Sequence, residues 1–278
     1  MLANVWNARG MGKRDEARVE TTERILAAAR HEIERVGGVG LSMRSVAREV
    51  GMVSSAIYRY FPTREDLLTA MIVESYGALA RVLQTAAAAA TISAAPTACA
   101  AVSAETPDVA DAAGPTADDR RAPWPDARRW AGIADSLRQW GRDRPHEFQL
   151  IYGTPIPGYI APPETIPAAA AVAAPFLGCL GGRQVEGFDQ LHRSGGEGLH
   201  AIAAEAGTSP SAAAAGVAAI SELVGFVAHE LAGHFVGVAD PADGLYAAVV
   251  GRQLRTLGLT EGEDSGGQAS ACPSPSLA

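Results

Sequence analysis

Lysine is almost missing from this chain of 278 residues: of 23 basic side chains only Lys13 is a lysine, and the rest are arginine. Aromatic residues are scarce at 6%, which argues against an aromatic-rich β-sandwich. The three cysteines, Cys99, Cys179 and Cys272, are odd in number and far apart. No disulfide framework or zinc spacing follows from them, and a reducing cytosol fits best. Net charge is −8, so a uniformly basic coat for polyanions is excluded. A long apolar run is also missing. The longest uncharged stretch, between Arg81 and Glu105, is rich in alanine and threonine and contains Pro96, too weakly apolar to span a bilayer. The first 20 residues carry Arg9, Lys13, Arg14, Asp15, Glu16 and Arg18, so no signal peptide is expected. These absences predict a soluble cytoplasmic protein without a membrane partner.

What is present is alanine. It supplies much of the 47% apolar content and favours helices, while 17 prolines and 30 glycines demand irregular stretches between them. Charge is unevenly spread: residues 1–85 hold 12 basic and 10 acidic side chains, the remainder 11 and 21. Contact with a polyanion is therefore expected near the N-terminus. Arginine, with its planar fork, suits phosphates and base edges.

Residues 1–20 read as a flexible arm. From Thr22 the chain becomes a dense series of short helices. Ile25, Leu26, Ala29, Ile33 and Val36 share one helical face, which Gly37 and Gly38 end. Ser42 caps a second helix with Val46, Ala47 and Val50 inward, terminated by Gly51. Ser54 or Ser55 caps a very short third helix, stopped by Pro62. Thr63 with Asp66 forms a capping box for a fourth, buried through Leu67, Leu68, Met71 and Ile72. Beyond Arg81 the order decays. A helix end and a disordered Ala/Pro-rich insert are expected over 78–125. Helices resume near Asp126, with Trp130, Ile133, Ala134, Leu137 and Trp140 on one face, and again at Pro145. Further helices are expected at 168–180, 197–206, 211–237 and 241–257, the last capped by Asp240 with Pro241 at its first position. The tail, 261–278, reads as disordered. The fold class is all-α: a three-helix helix-turn-helix domain over 21–77 joined to a larger helical ligand-binding and dimerisation domain over 126–260.

Two short helices joined by Gly51-Met52-Val53, the second opening with small polar residues, describe a helix-turn-helix. Ser54, Ser55 and Ala56 are small enough for close approach to base edges. Tyr58, Arg59, Tyr60 and Arg64 offer donors suited to phosphates. Arg44 can reach a guanine edge bidentately, and Ser42 presents a hydroxyl and free N–H groups at a helix N-terminus. On spacing alone, packing of Tyr58 and Tyr60 into the small bundle stays an open alternative.

Thr22–Tyr76 closely resembles the N-terminal domain of the TetR family of transcriptional regulators. The most specific part is Ala56-Ile57-Tyr58-Arg59-Tyr60-Phe61-Pro62 followed by Arg64-Glu65-Asp66-Leu67-Leu68. The resemblance implies DNA contacts from Ser42, Arg44, Ser54, Ser55, Ala56, Tyr58, Arg59, Tyr60 and Arg64; many members carry lysine at the last position. More weakly, Trp140–Tyr159 and Glu222–Phe235 resemble a ligand-domain subgroup of such regulators. The implied molecule is a non-enzymatic homodimeric repressor, needing no cofactor. It would sit on a palindromic double-stranded DNA operator and be released by a small-molecule effector. The last two long helices of each subunit would build the dimer. Their apolar faces (Val217, Ile220, Val224, Val227, Leu231; Leu245, Val249, Leu254, Leu257) exceed what one subunit easily covers, with ordinary intramolecular core as the competing reading.

Trp140, Phe148, Tyr152, Tyr159, Phe176, Phe226 and His229 are candidates to line an effector cavity, with the 153–160 loop as its gate; plain core packing is the competing reading for each. His229-Glu230-Leu231-Ala232-Gly233-His234 resembles a zinc-protease motif, but its histidines are five apart. On a continuous helix they would point about 140° from each other, so no metal is expected. An activator, a ligand-independent dimer, a helical enzyme and a Cys179 redox sensor are the alternatives to the repressor.

Overall fold

The computed structural model describes residues 12–93, 125–191 and 196–260. The expected insert core at 94–124, the first eleven residues and the tail from 261 lie outside the described residues. Those described contain ten α-helices, one short 3-10 turn at Pro163–Thr165 and no strand. The helices are α1 Lys13–Val36, α2 Met43–Val50, α3 Ser54–Ile57, α4 Arg64–Ser93, α5 Pro125–Asp143, α6 Pro145–Tyr152, α7 Ile166–Leu177, α8 Glu197–Ala206, α9 Pro210–Leu231 and α10 Asp243–Thr256.

Two apolar cores divide the chain. The first, here the head, gathers Ile25, Ala29 and Ile33 from α1, Val46, Ala47 and Val50 from α2, Ile57 from α3, and Leu67, Leu68 and Met71 from α4. The second, the body, is built on Leu79 and Leu83 of α4, Trp130, Ile133 and Leu137 of α5, Phe176 of α7, and Leu223 and Val227 of α9. Helix α4 belongs to both: its first two turns close the head, and its later turns pack on α5 and α7.

Local signals explain most boundaries. Gly51 adopts φ 78° and ψ 27°, a left-handed conformation that glycine takes without steric cost, and it turns the chain sharply out of α2. The Thr63–Asp66 box is formed. Thr63 Oγ1 accepts from the Asp66 N–H at 3.0 Å, and Asp66 Oδ2 accepts from the Thr63 N–H at 2.9 Å. Four expectations shift. Helix α1 starts at Lys13, so residues 13–20 continue it rather than forming an arm; Asp15 and Glu16 in its first turn suit the helix dipole. Helix α3 is preceded by Val53 in the cap position, with no side-chain cap from either serine. Helix α9 ends at Leu231, six residues before the expected 237, and the chain runs on as successive turns. Helix α10 starts at Asp243 with Ala242 in the cap position, not with Asp240 as cap and Pro241 at its first position.

Contrary to the expectation that no long apolar run is present, helix α9 is long and apolar enough to cross a membrane by length and composition, but 56% of its most apolar window is buried inside the fold. Ala212, Ala213, Ala219, Leu223 and Val227 all face inward. This is the profile of a core helix.

Candidate nucleic-acid interface

The head is clamped by polar ties between its elements. Glu32 of α1 accepts a hydrogen bond from Ser45 Oγ of α2 at 3.0 Å and pairs with Arg35. Burial pushes the Glu32 carboxyl pKa up, but the hydrogen bonds from Arg35 and Ser45 outweigh it and hold the group below the ordinary 4.5. Arg24 donates to the Val50 carbonyl at 3.0 Å, tying α1 to the end of α2. Ser42 caps α2, its hydroxyl oxygen accepting from the Ser45 N–H at 3.5 Å.

Against this frame the outer surface is open. Ser54 and Ser55 are exposed on the first turn of α3, Ala56 is half-buried, and Ile57 anchors the helix in the core. The helical turn continues past α3, since the Tyr60 N–H donates to Ile57 O at 2.9 Å. Tyr58, which packing could have claimed, is 48% exposed, and Arg59 is exposed beside it. Arg44 is exposed on α2, and Ser42 is half-buried. Tyr60 is half-buried beneath the Arg18 guanidinium, 5.5 Å from its ring centroid.

Arg64 is placed differently from the other candidates. Its guanidinium donates to Leu41 O at 3.0 Å, Gly38 O at 2.8 Å and Val39 O at 3.0 Å. The fork expected at a phosphate is engaged with the α1–α2 turn, and only its remaining nitrogen approaches Glu65, at 3.8 Å. Two surface residues escaped the sequence reading. Val53, 71% exposed, immediately precedes α3, where an apolar side chain can meet a thymine methyl. Arg18 covers Tyr60. The first had only its position beside the glycine turn as a signal, the second none.

The seven cavity candidates separate in space. Trp140 and Phe148 are buried with ring centroids 6.5 Å apart. Phe176 stacks edge-on against Trp130 at 5.0 Å, and Phe226 sits between Phe235 at 4.7 Å and Tyr246 at 5.1 Å. Tyr159 packs against the head core, its hydroxyl 3.0 Å from Thr69 Oγ1 of α4. His229 is exposed at the end of α9. Phe148 and Tyr152 alone among the seven border a cleft of about 620 Å³ between head and body; Gly153, Thr154 and Ile156 of the expected gate border it as well.

The angular argument against the His229/His234 pair does not hold, because α9 ends between them. The turn at Gly233, φ 77°, brings the two rings to 5.2 Å. Chemistry separates this segment from a metalloprotease site instead. Glu230 receives both N–H arms of Arg138, at 2.8 and 2.6 Å, and among the described residues no group of three metal-ligating side chains assembles. Arg138 also contacts Asp243 at 2.7 Å and lies over the Tyr246 ring at 4.8 Å, joining α5, α9 and α10. Cys179 is fully buried, its thiol donating to Pro175 O at 3.4 Å. Burial pushes its pKa up to about 12, so the reactive thiolate is scarce.

A clamped helix-turn-helix with an open, Ser-led turn, carried by one long helix into an all-α body, defines a bacterial transcription-regulator architecture. The comparisons agree with it. The model of bacterial regulatory proteins of the tetR family matches residues 25–71, and that of the tetracyclin repressor-like C-terminal domain matches 130–253. The chain belongs to the tetR family. It is 33% identical over 172 residues to the HTH-type transcriptional regulator Rv1816 of Mycobacterium tuberculosis, covering 61% of this chain and 60% of that one. Mb1846 of Mycobacterium bovis matches to the same extent. The match thus spans about 60% of the length of these curated relatives. The crystal structure of the regulatory protein SCO4313 is 27% identical with a TM-score of 0.61, covering 88% of this chain and 100% of that one. A protein of unknown function from Rhodococcus sp. RHA1, 18% identical with a TM-score of 0.54, covers 92% and 100% and shares the fold.

Proposed function

We propose that this tetR-family chain is a cytoplasmic, non-enzymatic repressor that binds a palindromic operator as a homodimer and leaves it when a small molecule binds. The observation that carries the reading is the surface of the head. Ser54, Ser55, Tyr58, Arg59 and Arg44 are exposed together, while Ile57 and the Glu32–Ser45 tie fix the helices that present them. Arg44 and the turn of Ser54, Ser55 and Ala56 read base edges; Ser42, Tyr58, Arg59 and Tyr60 set the register on the backbone. Arg64 acts through the α1–α2 turn as a positioning residue.

Exposed apolar residues on the last two helices support the dimer. Val217 of α9 and Leu245 of α10 are 40% and 41% exposed, and Ile220, Val224, Val249 and Leu254 of the same helices are half-buried. Val227 and Leu257, expected on this face, are instead buried in the subunit's own core. A twofold mate covering this face sets two recognition helices roughly 34–36 Å apart, one turn of DNA. The coupling between effector and operator is bounded by the effector's differential affinity for the two head positions.

The test is fluorescence anisotropy of the full chain on the duplex upstream of its own coding sequence, at two salt concentrations, beside a scrambled duplex. Tight, salt-dependent preference for the upstream duplex, or for one selected from random duplexes, is the expected result. Equal weak binding to all of them would reject the reading. Arg59→Ala should weaken binding to all duplexes and flatten the salt dependence. Arg44→Ala and Ser54→Ala should relax sequence preference, by about 1–3 kcal/mol for the arginine.

A further inference from the structure

The cleft of about 620 Å³ lies at the junction, not in the packed interior of the body. One wall is the end of α1 and the α1–α2 turn, through Ile33, Val36 and Gly38; the other is α6, through Phe148 and Tyr152, with Leu231 of α9. The volume is within the range of small-molecule sites. None of its lining residues is Asp, Glu, Lys or Arg, and His146 is the one lining side chain able to carry charge, so the cleft favours a ligand without a formal charge.

Tyr152 lines the cleft beside the polar side chains of His146, Gln149 and Thr154. Its ring is wedged between Tyr76 at 5.8 Å and Phe148 at 5.2 Å. The hydroxyls of Tyr76, Tyr159 and Tyr246 each have a protein partner. That of Tyr152 has none among the described residues, and it is not among the fully buried unpaired atoms, so water reaches it; partial burial of the ring raises its pKa. A donor that only water satisfies can exchange that water for a ligand acceptor.

The same turn is mechanically connected to the DNA-facing surface. Gly38 is in such close contact with the loop after α6 that a Cβ there would lie 2.9 Å from Ile156 Cδ1. Its carbonyl and that of Val39 are held by Arg64, from the first turn of α4. Ser42 and Arg44 follow a few residues on.

Resting on the regulator reading above, we infer that this cleft is the effector site. It takes a neutral, mostly apolar molecule whose carbonyl-type oxygen accepts from the Tyr152 hydroxyl. Its occupancy displaces the Gly37–Val39 turn and, with it, the reading helices.

The test uses the full chain and three probes, naphthalene, 2-acetylnaphthalene and 2-naphthoate, followed by ligand-observed NMR. The ketone binds saturably and more tightly than the carboxylate. Tyr152→Phe, which removes only the hydroxyl, weakens the ketone roughly tenfold and leaves naphthalene unchanged. Ala232→Trp, at an exposed position on the cleft rim, abolishes binding of both. Saturable binding that neither variant alters, carboxylate binding at least as tight as the ketone, or no saturable binding to the wild-type chain would each overturn the inference. Anisotropy on duplex DNA separates this from the regulator reading. Specific DNA binding with no probe bound rejects only the cleft, whereas probe binding to a chain that prefers no duplex rejects the regulator reading.

Discussion

The head and the body are held together over different distances along the chain. In the head the polar ties join near neighbours: Glu32 to Ser45 across 13 positions, Arg24 to Val50 and Arg64 to Gly38 across 26. The body has ties of similar span, such as Ser211 to Gln184 across 27 positions and Gln253 to the Ala219 carbonyl across 34. It adds Arg138 to Glu230 across 92, Tyr246 to the Ala134 carbonyl across 112, and Trp130 to Gln253 across 123. Local ties cost little loop-closure entropy and form early; distant ties require the rest of the body to be in place. A head built this way can keep its shape while its angle to the body changes, as the proposed effector control requires. The junction is correspondingly narrow. It includes α4, the Gly38 turn against Ile156 and Leu150, Arg30 of α1 at 4.0 Å from Glu147 of α6, and Tyr159 against Thr69.

The comparison is broken most forcefully by one core truncation on each side. Trp130→Ala removes a buried ring stacked on Phe176 and strips Gln253 Oε1 of its donor, at a cost of about 3–5 kcal/mol. Ile57→Ala, in the head, costs about 2–5 kcal/mol. Thermal unfolding should show Trp130→Ala lowering the main transition. Ile57→Ala should abolish duplex affinity while the body's transition and dimer survive. If Ile57→Ala melts the whole chain together, the two cores are one cooperative unit.

The Arg138 cluster gives a sharper, somewhat smaller effect. Arg138→Met leaves Glu230 largely buried without its bidentate partner and should cost about 3 kcal/mol. Adding Glu230→Met removes the stranded charge, so the double variant should recover most of the loss. A double variant no better than the single would show that the pair contributes more than the avoidance of an orphaned carboxylate.

In the head, Glu32→Gln tests whether the clamp depends on charge. The folded-state pKa of Glu32 lies below the ordinary 4.5. Its contribution is therefore complete above that value and is lost as pH falls through the folded pKa. Wild type and Glu32→Gln should differ most in melting temperature above about pH 4.5 and converge in more acidic buffer. A constant difference across that window would mean the contact works by shape alone.

Legibility followed the same division. Gly51, the Thr63–Asp66 box and the Pro145 start are local devices, and each was readable from a few adjacent letters. The end of α9 was not. His229 to Phe235 has nothing that forbids a helix except Gly233, and the turn there depends on Phe235 folding back onto Phe226. The aromatic candidates for a cavity divide, with Trp140, Phe148 and Tyr152 in one run of rings and Phe176 and Phe226 packed elsewhere, for a related reason. Helical spacing shows that Phe176 and Phe226 face inward, but not whether the interior holds space or a neighbouring ring. Arg138 looked like any surface arginine because its partner lies 92 positions away.

Arg64 is where the local reading of the head and its geometry part, and the expected effect is the smallest. A phosphate-contacting arginine replaced by glutamine would lower the salt slope of DNA binding by about one charge. An arginine spent on the Gly38, Val39 and Leu41 carbonyls would leave that slope unchanged. Its loss would instead loosen the α1–α2 turn, costing about 1–2 kcal/mol of head stability through unpaired carbonyls. Arg64→Lys should recover little, since one ammonium cannot reproduce the fork that spans three acceptors. Anisotropy at several salt concentrations, alongside thermal unfolding of both variants, tells the two roles apart. An unchanged slope with a lowered melting temperature assigns Arg64 to the turn, whereas a lowered slope with unchanged stability returns it to the DNA backbone.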